Sequence, residues 1–168
     1  DELRNDPHIR IVTWNGKFNY SAINNFGIKE AATGEYILLL NNDIEVITPD
    51  WIQEMLMFAQ RSDVGAVGAM LYYPDDTIQH AGVILGIGGV AGHAHKNFLR
   101  GDYGYMSRAT IAQNLSAVTA ACMMVSRNVW NQVHGLDESY EVAFNDVDLC
   151  MRIREAGYLI VWTPYAGL

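Results

Sequence analysis

The stretch Tyr36-Ile37-Leu38-Leu39-Leu40-Asn41-Asn42-Asp43 decides the fold. Its first five residues are a short continuous apolar run, which suits a strand covered on both faces. Upstream, residues 9–13 read as a strand and residues 20–32 as a helix. Asn19 can cap that helix, Ile23, Phe26 and Glu30/Ala31 recur at helical spacing, and Gly34 ends it. Downstream, Thr48-Pro49-Asp50 is a helix start: a cap, a proline in the first turn, then an acid facing the helix dipole. Trp51, Met55, Phe58 and Ala59 form the stripe of that helix, and residues 64–70 read as another strand. Strand, helix, strand, helix, strand predicts an α/β domain with helices packed on a mostly parallel sheet.

The rest of the chain is less regular. Residues 71–116 are rich in Gly and Tyr, with short strand candidates such as 82–85. Residues 117–126 read as a strand, and Ser126 caps a short helix reaching Val133. Residues 144–156 read as a helix stopped by Gly157, and 159–162 as a last strand before Pro164.

Composition limits the function. The 168 residues carry 11 Lys and Arg against 19 Asp and Glu, a formal net charge of −8, and half are hydrophobic. That excludes a disordered chain. It also argues against a general nucleic-acid binder, which needs positive charge to displace counterions from phosphates. No apolar run approaches the ~18–20 residues that cross a bilayer, and no signal-peptide pattern opens the chain. Cys122 and Cys150 both sit in apolar stretches and read as buried thiols of a cytoplasmic protein.

Two places have the residue types for chemistry. Asn41-Asn42-Asp43 follows a buried strand, and ligands of open α/β sheets bind beyond the carboxyl ends of strands. A carboxylate there can hold Mg²⁺ or Mn²⁺ with phosphate oxygens, or the triplet is an ordinary Asn/Asp turn. In Asn145-Asp146-Val147-Asp148-Leu149-Cys150, Asp146 lies on the packed side of the helix. It is either a first-turn acid favoured by the dipole or a general base. Asp148 precedes Arg152 by four residues and reads as an exposed ion pair. His80 and His134 read as structural, and His93 and His95 as part of a Gly-rich loop. Gly86-Ile87-Gly88-Gly89-Val90-Ala91 fits a dinucleotide fingerprint on paper, but no helical pattern follows it.

Together these segments resemble the family 2 glycosyltransferases of the GT-A fold. The resemblance is carried by Asn24-Asn25, Gly27-Ile28, residues 32–43, residues 116–122, Gly135-Leu136-Asp137-Glu138-Ser139-Tyr140, residues 145–152, residues 154–158 and Pro164-Tyr165. It covers nearly the whole chain in order and is similar to the rhamnosyltransferase-like bacterial enzymes of cell-surface polysaccharide synthesis. The fold it implies is a three-layer sandwich, here without the family's opening strands, so that 1–168 is a single partial catalytic domain. The activity it implies is inverting transfer of a sugar from a nucleotide-diphosphate donor to a hydroxyl of a saccharide or lipid-linked acceptor. Asp43 matches the metal-binding acid of the family's Asp-x-Asp motif, with Asn41 and Asn42 facing ribose, phosphate or sugar. Ala120 and Ala121 match a small-residue stretch against the donor sugar, and Asn25 is a further donor contact. Asp146 matches the catalytic base. Asn145, where the family often has Glu, would lie beside the acceptor. The two acids are expected to converge on one cleft. The resemblance also implies a place at the inner face of the membrane if the acceptor is lipid-linked, and self-association through exposed sheet edges. The other readings are a noncatalytic carbohydrate- or nucleotide-binding module on the same fold and a nucleotidyltransferase.

Overall fold

The computed structural model describes residues 6–168. In chain order the elements are α1 (Tyr20–Glu30), β1 (Tyr36–Leu40), α2 (Trp51–Ala59), β2 (Val64–Tyr72), β3 (Ile78–His80), β4 (Val83–Leu85), β5 (Ala91–His93), β6 (Gln113–Leu115), β7 (Cys122–Ser126), α3 (Arg127–Gln132), α4 (Asn145–Glu155) and β8 (Leu159–Gly167). The main sheet runs β1-β7-β2-β8-β6, with β3 paired to β2, while β4 and β5 form a separate hairpin.

The α/β class and the mixed sheet agree with the sequence. The balance of the ladders does not. Among the described residues only β2 and β8 pair in parallel, while β1–β7, β7–β2, β8–β6 and β2–β3 are antiparallel. β1, β2 and β8 still share one direction, because β7 is antiparallel to both β1 and β2 and lies between them. Alternation of helices and strands fixes the direction of successive strands. It does not exclude a later strand from entering between them.

Period-two alternation builds two apolar layers. Ile37 and Leu39 of β1, Ala66 and Met70 of β2, Met123 and Val125 of β7, and Ile160 and Trp162 of β8 pack with Val129 and Trp130 of α3 and Leu149, Cys150 and Ile153 of α4. On the opposite face Val67, Ala69 and Leu71 of β2, Cys122 and Met124 of β7, and Val161 of β8 pack on Trp51, Met55 and Ala59 of α2. The buried indole of Trp162 donates from Nε1 to the carbonyl of Ala69 at 3.1 Å, which satisfies its one polar atom. Cys122 and Cys150 are buried free thiols, and burial pushes each up to about 12.

Several boundaries follow side-chain chemistry. Asn19 accepts from the backbone N–H of Ala22 at 2.9 Å and caps α1, and Ser126 caps α3 through the N–H of Val129. Thr48 does not cap α2. Its Oγ1 accepts from the N–H of Gly167 at 3.0 Å and ties the start of α2 to the end of β8. β8 continues past Pro164 because the proline sits in a bulge: Gly68 faces Trp162, but Met70 faces Gly167. Residues 9–13 form no strand. Among the described residues nothing pairs with the outer edge of β1. The segment instead flanks a cleft of about 710 Å³ between itself, β1 and α1.

Candidate active site

Residues 117–121, apolar except for Thr119, do not extend β7. The backbone amides of Thr119, Ala120 and Ala121 go to side chains instead of a ladder. The N–H of Thr119 donates to Nε2 of His80 at 3.4 Å, and the N–H of Ala120 donates to Oδ2 of Asp146 at 3.3 Å. The carbonyl of Ala121 accepts from the N–H of Asn41 at 2.9 Å. This short segment therefore joins the end of β1, the end of β3 and the start of α4.

Asp146 is half-buried in the first turn of α4. Its Oδ1 accepts from the N–H of Val147 at 2.8 Å, and its own N–H donates to Oδ1 of Asn145 at 2.7 Å. The helix enters through Phe144, whose φ of 63° turns the chain sharply into α4. Asn145 is 5 % exposed, and among the described residues its Nδ2 has no hydrogen-bond partner. Asn145, Asp146, His93 and Val142 help to line a cleft of about 230 Å³.

Two groups missed in the sequence adjoin this carboxylate. Tyr20, at the start of α1, donates its hydroxyl to the carbonyl of Ala120 at 3.2 Å. Burial, and secondarily the charge of Asp146, pushes that phenol up to about 12, so it remains a donor. His93 ends β5 rather than sitting in a loop, and its Nδ1 lies 2.9 Å from Nδ1 of the fully buried His80. Burial and the neighbouring His93 lower His80 to about 3. No local period links positions 80 and 93; only the pairing of β4 with β5 returns His93 to the end of β3. His95 departs from this arrangement, with φ 54° and its ring set edge-on to Phe98.

The other predicted residues fall as follows. Asn41 and Asp43 line a second cleft, of about 600 Å³, with Glu45, Asp76 and Ala121, and Asn42 is exposed on the turn between them. The expected single cleft is thus two. They are connected through Ala120 and Ala121: Ala121 lines one, and Ala120 is bonded to the carboxylate of the other. Asn25 is not free for a donor. Its Nδ2 donates to the carbonyl of Leu136 at 2.8 Å and to Oε1 of Glu138 at 3.1 Å, and its Oδ1 accepts from the N–H of Leu136 at 3.0 Å. It clamps the segment before α4 onto α1. Asp148 and Arg152 form a partly buried pair at 2.6 Å rather than an exposed one, and Nη1 of Arg152 also donates to the carbonyls of Val133 and Gly135. Gly86, Gly88 and Gly89, all with positive φ, form the β4–β5 connection, which is why no dinucleotide-binding helix follows.

The donor set at Asp43 suits a divalent cation held mainly by phosphate. No group of three or more acidic, His or Cys side chains able to enclose a metal occurs among the described residues. Among the described residues Asp43 makes no ion pair, and its cleft also has the carboxylate of Glu45 and the amide of Asn41. One or two carboxylates completed by phosphate oxygens is how Mg²⁺ is commonly held at nucleotide sites.

Comparison with known proteins agrees with this architecture. A family model described as glycosyltransferase like family 2 matches residues 5–167. An uncharacterized protein of Sinorhizobium fredii is 51% identical over 97% of this chain and 18% of its own length. The O-antigen biosynthesis protein RfbC of Myxococcus xanthus is 41% identical over 97% of this chain and 13% of its own. An N-acetylglucosaminyl-diphospho-decaprenol L-rhamnosyltransferase of Mycobacterium tuberculosis is 41% identical over 29% of this chain and 16% of its own. The chain thus spans less than a fifth of the length of these relatives. Among the described residues no helix is long and apolar enough to cross a membrane. With the match covering almost its whole length, the chain belongs to the glycosyltransferase-like family 2.

Proposed function

We propose that this domain transfers a sugar, with inversion, from a nucleotide-diphosphate donor to a hydroxyl of a saccharide or lipid-linked acceptor in cell-surface polysaccharide synthesis. The observation that carries the proposal is the double anchoring of Ala120–Ala121. One end is bonded to Asp146 and the other to Asn41, beside Asp43. A site for a departing diphosphate and a site for an incoming hydroxyl are thus adjoining.

Asp146 takes the acceptor proton as the acceptor oxygen bonds to the anomeric carbon. The bond from that carbon to the diphosphate oxygen breaks, and its electron pair leaves with the diphosphate. A single displacement inverts the anomeric centre. Backbone donors hold both carboxylate oxygens of Asp146 in place before the acceptor arrives. Asp43, with Glu45 and Asn41 nearby, would hold Mg²⁺ or Mn²⁺ together with the donor phosphates, and the cation would neutralise charge on the leaving group. Ala120 and Ala121 keep side-chain bulk away from the donor sugar. The rhamnosyl chemistry in the name of the Mycobacterium tuberculosis relative makes deoxyhexosyl donors the first to test.

The test is the Asp146→Asn variant of the full parent protein. Transfer falls by about 100-fold or more, as for loss of a general base, while nucleoside-diphosphate affinity stays within about twofold of wild type. Retained turnover overturns the assignment of the base.

A further inference from the structure

The His80–His93 contact determines where the protons lie. Two nitrogens 2.9 Å apart bond only when one of them carries the proton. Nε2 of His80 accepts from the N–H of Thr119, so neutral His80 carries its proton on Nδ1. That proton is donated to Nδ1 of His93. Neutral His93 then carries its own proton on Nε2. His93 is exposed and lines the cleft of Asp146 and Asn145. It makes no hydrogen bond to Asp146. A buried histidine whose role is only to pack does not account for a second histidine held in one tautomer at the wall of a cleft.

We propose that His93 is a contact residue for the acceptor saccharide, presenting Nε2–H to a hydroxyl adjacent to the one that Asp146 deprotonates, and that His80 is the positioning residue that fixes this tautomer. The inference rests on the reading of Asp146 as the acceptor-side base. Asn145 lines the same cleft, but its Nδ2, which has no hydrogen-bond partner among the described residues, is buried behind the wall. A donor beside an acceptor-only carboxylate matches a vicinal diol: one hydroxyl gives its proton to Asp146, and its neighbour accepts from His93. A cleft of about 230 Å³ lies below the roughly 300–1,000 Å³ that takes a drug-sized ligand. It suits one sugar ring or one edge of it.

The experiment uses the chain labelled with ¹⁵N-histidine. Long-range proton–nitrogen spectra report which ring nitrogen of each histidine is protonated, with assignment by single substitution. The expected result is His80 protonated at Nδ1 and His93 at Nε2. The reverse pair of tautomers overturns the proposal whether or not the domain transfers sugar. Titration with methyl glycosides of common hexoses and deoxyhexoses follows. A sugar with a free vicinal diol is expected to shift Nε2 of His93, and its monodeoxy analogue to bind at least about tenfold more weakly, roughly the loss of one hydrogen bond. His93→Gln, which keeps a donor at similar reach, is expected to retain most of the affinity, and His93→Phe to lose it. No movement of His93 with any glycoside overturns the contact. Sugar-dependent shifts in a protein whose Asp146→Asn variant keeps turnover would leave the His93 contact standing and remove only the base.

Discussion

The backbone N–H of Ala120 meets Oδ2 of Asp146 at 3.3 Å although 26 residues separate the two in sequence. Burial of a carboxylate edge against an apolar sheet needs such a donor, because an unpaired buried polar group costs about 1–3 kcal/mol. The bond also gives the carboxylate a structural role besides the chemical one proposed for it, and two substitutions separate the roles. Asp146→Asn keeps one oxygen, which can serve Ala120 or Val147 but not both, and should lose less stability in urea than Asp146→Ala, which leaves both amides without the side chain and should lose about 1–3 kcal/mol. Both should lack transfer activity. Equal stability of the two variants would show that the Ala120 bond contributes nothing.

The buried histidine predicts an acid sensitivity. The folded chain keeps His80 neutral down to about pH 3, whereas the unfolded chain takes up a proton near 6.5. Between those values the unfolded state binds more protons, so this contribution is intact above 6.5 and is lost as the pH falls toward 3. His93 acts in the same direction. Burial lowers its pKa most, Asp146 pulls it back up, and Lys96 adds a smaller downward push. Each such group adds a slope of up to about 1.4 kcal/mol per pH unit. Urea midpoints from about pH 7 down to pH 5 should therefore fall, and His80→Gln should flatten the curve. A wild-type midpoint independent of pH over this range would contradict the arrangement.

Much of this architecture was legible in the chain because its signals are local. Tyr36–Leu40 is a strand, as its apolar run suggests, although on this edge strand only Ile37 and Leu39 are buried and Leu40 is exposed, and Asn19 and Ser126 cap their helices by side-chain oxygens three residues from the amides they accept. The acidic face of α4 was also local, and Asp146 does turn toward the sheet. What was not legible depends on distant partners. Nothing near Asn25 announces that Leu136 and Glu138 will occupy its amide. Nothing near Thr48 announces the amide of Gly167. The entry of β7 between β1 and β2, and the return of His93 to His80, are likewise pairings across long loops. A pattern of three or four residues cannot encode them.

Gly68, in the middle of β2, is held to a hydrogen by its neighbour. A Cβ there would lie 2.5 Å from Cβ of Val118 and 2.7 Å from its Cγ1. Val118 is fully buried in the segment leading to Thr119 and Ala120, so it cannot retreat without moving the site. Gly68→Ala should cost about 1–3 kcal/mol, as overpacking does, and Val118→Ala in the same chain should recover part of it. A double-mutant cycle of urea midpoints measures the coupling. Additive losses would mean that the two side chains do not compete for this space.

Arg152 predicts a difference between charge and shape. Its guanidinium meets Asp148 at 2.6 Å and, through Nη1, the carbonyls of Val133 and Gly135, so one planar group joins α4 to the turn after α3. Lysine offers a point charge and cannot span these directions together. Arg152→Lys should therefore destabilise by about 1–2 kcal/mol despite the retained charge, since hydrogen bonds to charged groups contribute about 1.5–3 kcal/mol. The loss should be nearly the same in high salt, because a bridge only 28% and 22% exposed on its two sides is screened less than a surface pair. Thermal melts of wild type and variant at low and high ionic strength check both statements; a variant as stable as wild type would reduce the clamp to an ordinary ion pair.

Asp43 provides the test of the cation. Its carboxylate is exposed beyond β1 in the cleft of about 600 Å³, with few other ligands at hand, so affinity for metal alone should be weak and should rise when a diphosphate is present. Calorimetry with uridine or thymidine diphosphate should show tighter binding with Mn²⁺ than with a chelator. Asp43→Asn should abolish the difference while leaving the metal-free affinity unchanged or slightly improved, since a negative charge facing the phosphates is removed. The same substitution should leave thermal stability within about 0.5 kcal/mol, as for surface positions without a structural partner. Metal enhancement that persists in Asp43→Asn would move the cation to Glu45 or Asp76, the other carboxylates lining this cleft.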